Sequence, residues 1–190
     1  MRILKVSPKF DSRKQENASF DDLVDIYEDR VNGWLLDWTH ELNKHEHAGF
    51  AVLQIGFAFF EGFAVFYYGE DSDGKSKEFF AKGFRLIFPG LDNHPPQTAD
   101  DILNRLYKFG RCGLFHLGMV RSGIILRDGN YEFNPLFDSA GKVAVIEFDR
   151  YKFVQAITKT FAQYVQRLRD PSEKELRKNF IFAWELVHAS

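Results

Sequence analysis

A chain of 190 residues is long enough to bury a continuous core within one domain. Its 45% hydrophobic and 27% charged residues exclude a disordered segment, and 21 Phe foretell a bulky aromatic interior. The net charge of −2 excludes a protein that coats nucleic acid through bulk charge, while the single cysteine, Cys112, excludes an internal disulfide or a cysteine-rich zinc site, so cytoplasm is the expected setting.

Residues 1–18 read as an N-terminal arm, holding only short apolar pieces before Pro8, so no secretory leader is expected. Ser19 and Asp22 form a capping box of the acidic kind. Leu23, Ile26, Tyr27, Trp34, Leu35, Trp38 and Leu42 then recur at helical spacing, which predicts one helix from Phe20 to Lys44 with these residues on its apolar stripe. A polar break at His45-Glu46-His47 precedes Phe50–Tyr68, which is apolar apart from Gln54, Glu61 and glycines. Its length would nearly span a bilayer, but a carboxylate in mid-span is costly in lipid, so a central buried helix is expected and no membrane association. A third helix is expected from Lys77 to Phe88, ended by Pro89-Gly90. Thr98 and Asp101 resemble another capping box, opening a fourth helix whose apolar positions include Leu103, Leu106, Tyr107, Gly110, Leu114 and Leu117.

Beyond Gly118 the period changes. Ile124–Arg127 and Tyr131–Phe133, joined by Asp128-Gly129-Asn130, predict an antiparallel hairpin, and Lys142–Phe148 a third strand. Asp149 is placed to cap a helix with a stripe of Phe153, Val154, Ile157, Phe161, Tyr164, Val165 and Leu168, ended by Pro171. A last helix follows, offering Leu176, Phe180, Ile181, Trp184 and Val187 to the body or to a partner chain. The expected architecture is one mainly α domain: an arm (1–18), a four-helix core (19–118), a small antiparallel sheet (123–148) inserted before the last long helix (149–170), and a C-terminal helix (172–190).

The stretch Arg111-Cys112-Gly113-Leu114-Phe115-His116 pairs a permanent cation, suited to holding phosphate, with an imidazole that moves protons near neutral pH. The spacing alone is expected about 0.4 times by chance in a chain of this composition. Its neighbours carry more weight. An apolar helix with an internal Glu, then Leu106-Tyr107 leading through Arg111 to His116 and a glycine, resembles the HEPN superfamily. That resemblance implies a helical bundle bearing R-x4-6-H on its last core helix, often acting as a metal-independent ribonuclease in a homodimer with facing motifs. Arg111 and His116 would then be the catalytic pair, His116 deprotonating an RNA 2′-hydroxyl, with no metal and no cofactor. Active members carry a polar residue after the Arg, where this chain has Cys112 and Gly113; the departure favours the alternative, a non-catalytic module for dimerisation or for docking a protein partner.

Arg105, Lys108 and Arg111 recur every three residues, and with Arg121 they are candidates for a basic stripe binding RNA or a nucleotide phosphate. The bland reading makes them a solvated face, pairs Arg111 with Glu61, and has His116 cap its helix. Tyr107 is expected in the core, and Cys112 as a small buried thiol. His40, His45 and His47 lack a completing ligand set and are expected on an exposed loop.

Overall fold

The computed structural model describes residues 3–188; positions 1–2 of the expected arm and 189–190 of the expected terminal helix lie outside the described residues. The chain is mainly helical, with a three-stranded mixed sheet. The helices are α1 (Phe20–Val31), α2 (Asp37–Leu42), α3 (Gly49–Tyr68), α4 (Ser76–Ile87), α5 (Pro96–Arg105), α6 (Cys112–Leu117), α7 (Arg150–Leu168) and α8 (Lys174–His188). The strands are β1 (Ile124–Leu126), β2 (Phe133–Phe137) and β3 (Val143–Phe148).

The capping box of α1 is present in both directions: the Ser19 hydroxyl accepts from the Asp22 amide, and the Asp22 carboxylate accepts from the Ser19 amide. The expected single helix to Lys44 is interrupted. A π-helical segment, Asn32–Leu36, separates α1 from α2, with the Asp37 amide reaching back five residues to the Asn32 carbonyl. Pro8 of the arm packs over Gly33, within this segment. One extra residue in the winding turns everything after it by about 100°. Leu36, only 2% exposed, and Thr39 therefore face inward, while Trp34 and Trp38, expected on the apolar stripe, stand 48% and 60% exposed.

α3 is the axis of the core. With its lead-in it forms the one stretch among the described residues, Glu46–Tyr68, that is long and apolar enough to cross a membrane, and most of it is buried inside the fold. Phe57 and Phe60 of α3 meet Phe80 and Phe84 of α4, all of them buried. The rings lock in edge-to-face pairs such as Phe60 with Phe84 at 5.4 Å, so the aromatic excess becomes directional packing rather than loose bulk. α4 comes so close that a methyl group on Gly83 would overlap the Phe60 carbonyl oxygen. α7 packs its expected stripe inward, and Asp149 caps it by accepting from the amides of Tyr151 and Lys152. α8 docks on the body: Phe180 meets Tyr27 of α1 at 5.5 Å and Phe66 of α3 at 5.6 Å. Val187 remains exposed.

Two expectations for the second half are corrected. α5 begins at Pro96 without a side-chain cap, so Thr98 and Asp101 are not its capping box. Proline at the first helical position loses no hydrogen bond and presets φ, which makes it the stronger start signal. The sheet is not antiparallel throughout: its order is β1-β3-β2, with β1 parallel and β2 antiparallel to β3. Gly129 does not serve a hairpin; its amide donates to the buried Asp149 carboxylate at 2.9 Å, tying the 128–130 loop to the start of α7. The tight turn falls instead between β2 and β3, where Gly141 takes φ of 74° and Asp138 accepts from the amides of Ala140 and Lys142.

Candidate functional site

Glu61 sits on α3 between the buried Phe60 and Phe63 and is itself half-buried. Ser76, the first residue of α4, donates its hydroxyl to the Glu61 carboxylate at 2.5 Å. A second π-helical segment, Leu106–Arg111, links α5 to α6, and the Cys112 amide closes it by bonding to the Tyr107 carbonyl. Gly110 in that segment presses on Phe57 so closely that a side chain there would overlap the ring. This contact holds the wide turn against α3 and turns Arg111 toward Glu61.

Arg111 Nη2 lies 3.6 Å from Glu61 Oε2, with the two side chains 28% and 24% exposed. The separation is that of an ion pair rather than a hydrogen bond. The guanidinium also lies over the rings of Tyr107, at 5.6 Å, and Phe115, at 5.3 Å. A cavity of about 240 Å³ opens beside the pair, lined by Gln54, Phe57, Ala58, Leu114 and Phe115 as well as the two charges. Tyr107 packs edge-on against Phe80 at 5.5 Å, as a core residue. Cys112 is half-buried.

His116 is not drawn into this cavity. Its imidazole is exposed and stands edge-to-face with Phe115 at 5.1 Å. Gly118, in the left-handed conformation, closes α6 with its amide on the Leu114 carbonyl, so the expected capping by His116 is replaced by a glycine cap. Within one chain, then, Phe115 stands between the two members of the motif.

The basic positions separate as well. Arg105 is held by Asp101 at 3.1 Å and Arg111 by Glu61, whereas Lys108 and Arg121 are exposed and have no carboxylate partner among the described residues. A π-helical winding breaks the three-residue alignment that a continuous α-helix would have given them. His40 bonds with Thr158 Oγ1 at 3.0 Å, and His45 and His47 are exposed. No group of three metal-ligating side chains occurs among the described residues.

Two features carry no obvious sequence signal. The first is Glu147, buried on β3, whose carboxylate accepts from Tyr131 at 2.8 Å, Asn134 at 3.1 Å and Arg127 at 3.3 Å. The Tyr131 and Asn134 donors, helped by Arg127, outweigh burial and hold the Glu147 pKa below the usual carboxylate range. The second is an apolar groove of about 450 Å³ along α3, floored by Ala51, Ala58 and Gly62 and walled by Leu35. Ala51, Ala58 and Gly62, seven and four positions apart and so on one side of an apolar helix, were its one readable trace.

Comparison of the chain with models of protein families, with curated protein sequences and with solved structures gave no match in any of the three.

Proposed function

We propose that this chain is a HEPN-like helical association module in which Arg111 and Glu61 form a structural ion pair. The observation that carries the reading is the placement of that pair. Glu61 neutralises Arg111 within the chain, beside an apolar surface of α3 that none of the described residues covers. A carboxylate 3.6 Å from the guanidinium repels the anion a nuclease must hold, and the Phe115 ring keeps His116 out of the same cavity. Cys112 and Gly113, in place of a polar residue, agree with a module that keeps the fold without the chemistry. A cytoplasmic setting belongs to this reading, supported by the single thiol.

A second reading, metal-independent cleavage or binding of RNA, is favoured by one observation: His116, Lys108 and Arg121 are exposed and free of carboxylates among the described residues. Facing motifs from two copies would assemble those cations around a phosphate. The deciding experiment measures cleavage of single-stranded RNA in EDTA by wild type, Arg111→Ala and His116→Ala. Background rates in all three support the association module. Cleavage by wild type that either substitution abolishes establishes the ribonuclease.

A further inference from the structure

We infer that the end of α6 and the turn after it, Phe115–Met119, insert into the surface of a membrane that carries anionic phospholipid, with Lys108 and Arg121 on the headgroups. The contact is peripheral: α3, the stretch of membrane-spanning length, stays in the core. Neither Arg111 nor Glu61 takes part in it, so it stands apart from the association module.

All the residues from Phe115 to Met119 are exposed. Successive helical positions point to every side in turn, so a helix lying against a body buries one side of each turn, whereas an end open all round projects from it. The chain then runs back along the same helix. Gly118 turns it in the left-handed conformation, and the Arg121 amide bonds to the Phe109 carbonyl at 2.9 Å. The Met119 carbonyl oxygen comes so close to Gly113 that a side chain there would overlap it. This is a pinned finger, not a frayed end. At its tip Phe115, Leu117 and Met119 are 68%, 53% and 54% exposed. Large apolar side chains held out together on a pinned turn mark a site of interaction.

The charges name the partner. From Ile102 to Arg127 the sequence holds five Lys and Arg and no Asp or Glu, in a chain of net charge −2. Arg105, Arg111 and Arg127 are answered by Asp101, Glu61 and Glu147. Lys108 and Arg121 are exposed and have no carboxylate within ion-pair distance among the described residues. Both flank Phe109: Lys108 Nζ lies 5.8 Å from its ring, and the Arg121 amide holds its carbonyl. Phe109 precedes Phe115 and Leu117 by six and eight residues, which at about 1.5 Å of rise per residue sets the two cations on the order of 10 Å behind the apolar end. Interfacial segments bury their apolar side about 5–10 Å into the headgroup and acyl boundary. The tip therefore reaches acyl chains while the cations stand at the phosphates. A cytoplasmic leaflet supplies the anionic lipid that draws them, in keeping with the proposed setting. Other occupants fit less well. A second copy docked end to end would set Lys108 and Arg121 against their own kind, RNA gives the aliphatic Leu117 and Met119 nothing to stack on, and a projecting end offers a peptide no groove.

The test is sedimentation of the full chain with vesicles of phosphatidylcholine alone and of phosphatidylcholine mixed with phosphatidylserine. It compares wild type, the apolar pair Leu117→Ser with Met119→Ser, and the charge pair Lys108→Ala with Arg121→Ala, with a circular dichroism melt of each. Wild type is expected to sediment with the mixed vesicles, and less so as salt is raised. The apolar pair lowers that affinity about tenfold or more, because two large side chains no longer leave water. The charge pair lowers it about 25-fold, taking about fivefold for each cation at an anionic surface. Both pairs replace exposed side chains and leave the melt near that of wild type; Phe115→Ser carries the test should either pair fail to fold. Wild type that stays in solution with mixed vesicles overturns the inference. So does binding that the apolar pair keeps in full, which reduces the contact to surface charge, and so does equal binding to both kinds of vesicle, which leaves the cations no part. Single-stranded RNA bound by wild type and lost in the charge pair, by a protein that ignores the mixed vesicles, also overturns it and assigns the cations to nucleic acid.

Discussion

Arg111 and Glu61, fifty residues apart in sequence, come within 3.6 Å because a π-helical turn presses Gly110 onto the Phe57 ring. The pair ties the motif segment to the central helix, and Ser76 adds α4 to the same carboxylate. Its partial exposure sets its energetic scale.

Glu61→Gln, which keeps the shape and the acceptor for Ser76, should cost no more than about 1 kcal/mol, since a pair roughly a quarter exposed is screened by water. Arg111→Ala should cost more, about 1–2 kcal/mol, because it also removes packing over Tyr107 and Phe115. The double variant should lose less than the sum of the two, measured by urea unfolding. Strict additivity would contradict a direct interaction.

Gly83→Ala should be among the most damaging single changes in the chain. The added methyl meets the Phe60 backbone, which cannot rotate away as a side chain would, so α4 must move off α3. A loss of about 2–3 kcal/mol, or failure to accumulate folded protein, is expected. A wild-type urea midpoint would show that the helices separate cheaply.

Phe153 joins three parts of the core. Its ring meets Phe57 of α3 at 5.8 Å, Phe88 at 5.7 Å and Phe148 of β3 at 5.2 Å. Phe153→Ala should therefore cost about 3–5 kcal/mol. Near-ultraviolet and far-ultraviolet dichroism should still melt together, because sheet and helices share this ring; separate transitions would mean that the sheet is an independent unit.

Stability in acid should depend on Glu147. Its folded pKa lies below its ordinary value, so its contribution is full above the usual carboxylate range and is lost as pH falls through that range toward the depressed folded value. Glu147→Gln should melt lower than wild type at neutral pH, and the gap should narrow as the buffer is acidified. A gap independent of pH between neutrality and about pH 3 would show that the charge is not what the three donors hold.

Local signals with a chemical mechanism were legible in the residues. Ser19 and Asp22 could be read as a capping box, Asp149 as the cap of α7, and the α7 stripe as a buried face, because each depends on neighbours within one or two turns. The pairing of Arg111 with Glu61 was within reach as one of two alternatives. The π-helical windings were not, since they arise where Pro8 meets Gly33 and Phe57 meets Gly110, contacts between distant segments that no helical period records. The winding error then propagated: an α-helical count put Trp34 and Trp38 in the core, and the extra residue delivered them to the surface. The sheet was misjudged for a related reason. Asp128-Gly129 looked like a hairpin turn until the carboxylate of Asp149, twenty residues on, took the glycine amide.

The docking of α8 bears on how the chain is made. Phe180 and Trp184 are the residues that close the flank formed by Tyr27 and Phe66, yet they are synthesised long after α3. At ribosomal speeds of 5–20 residues per second, the interval between α3 and α8 is on the order of ten seconds. Throughout it the nascent helix presents an uncovered aromatic flank to the cell. The parallel pairing of β1 with β3 adds a shorter wait of its own, since β1 must wait for a strand that lies beyond β2. A chain so ordered completes its core only when its last helix arrives, and truncation before Lys174 should leave the Tyr27 and Phe66 flank uncovered.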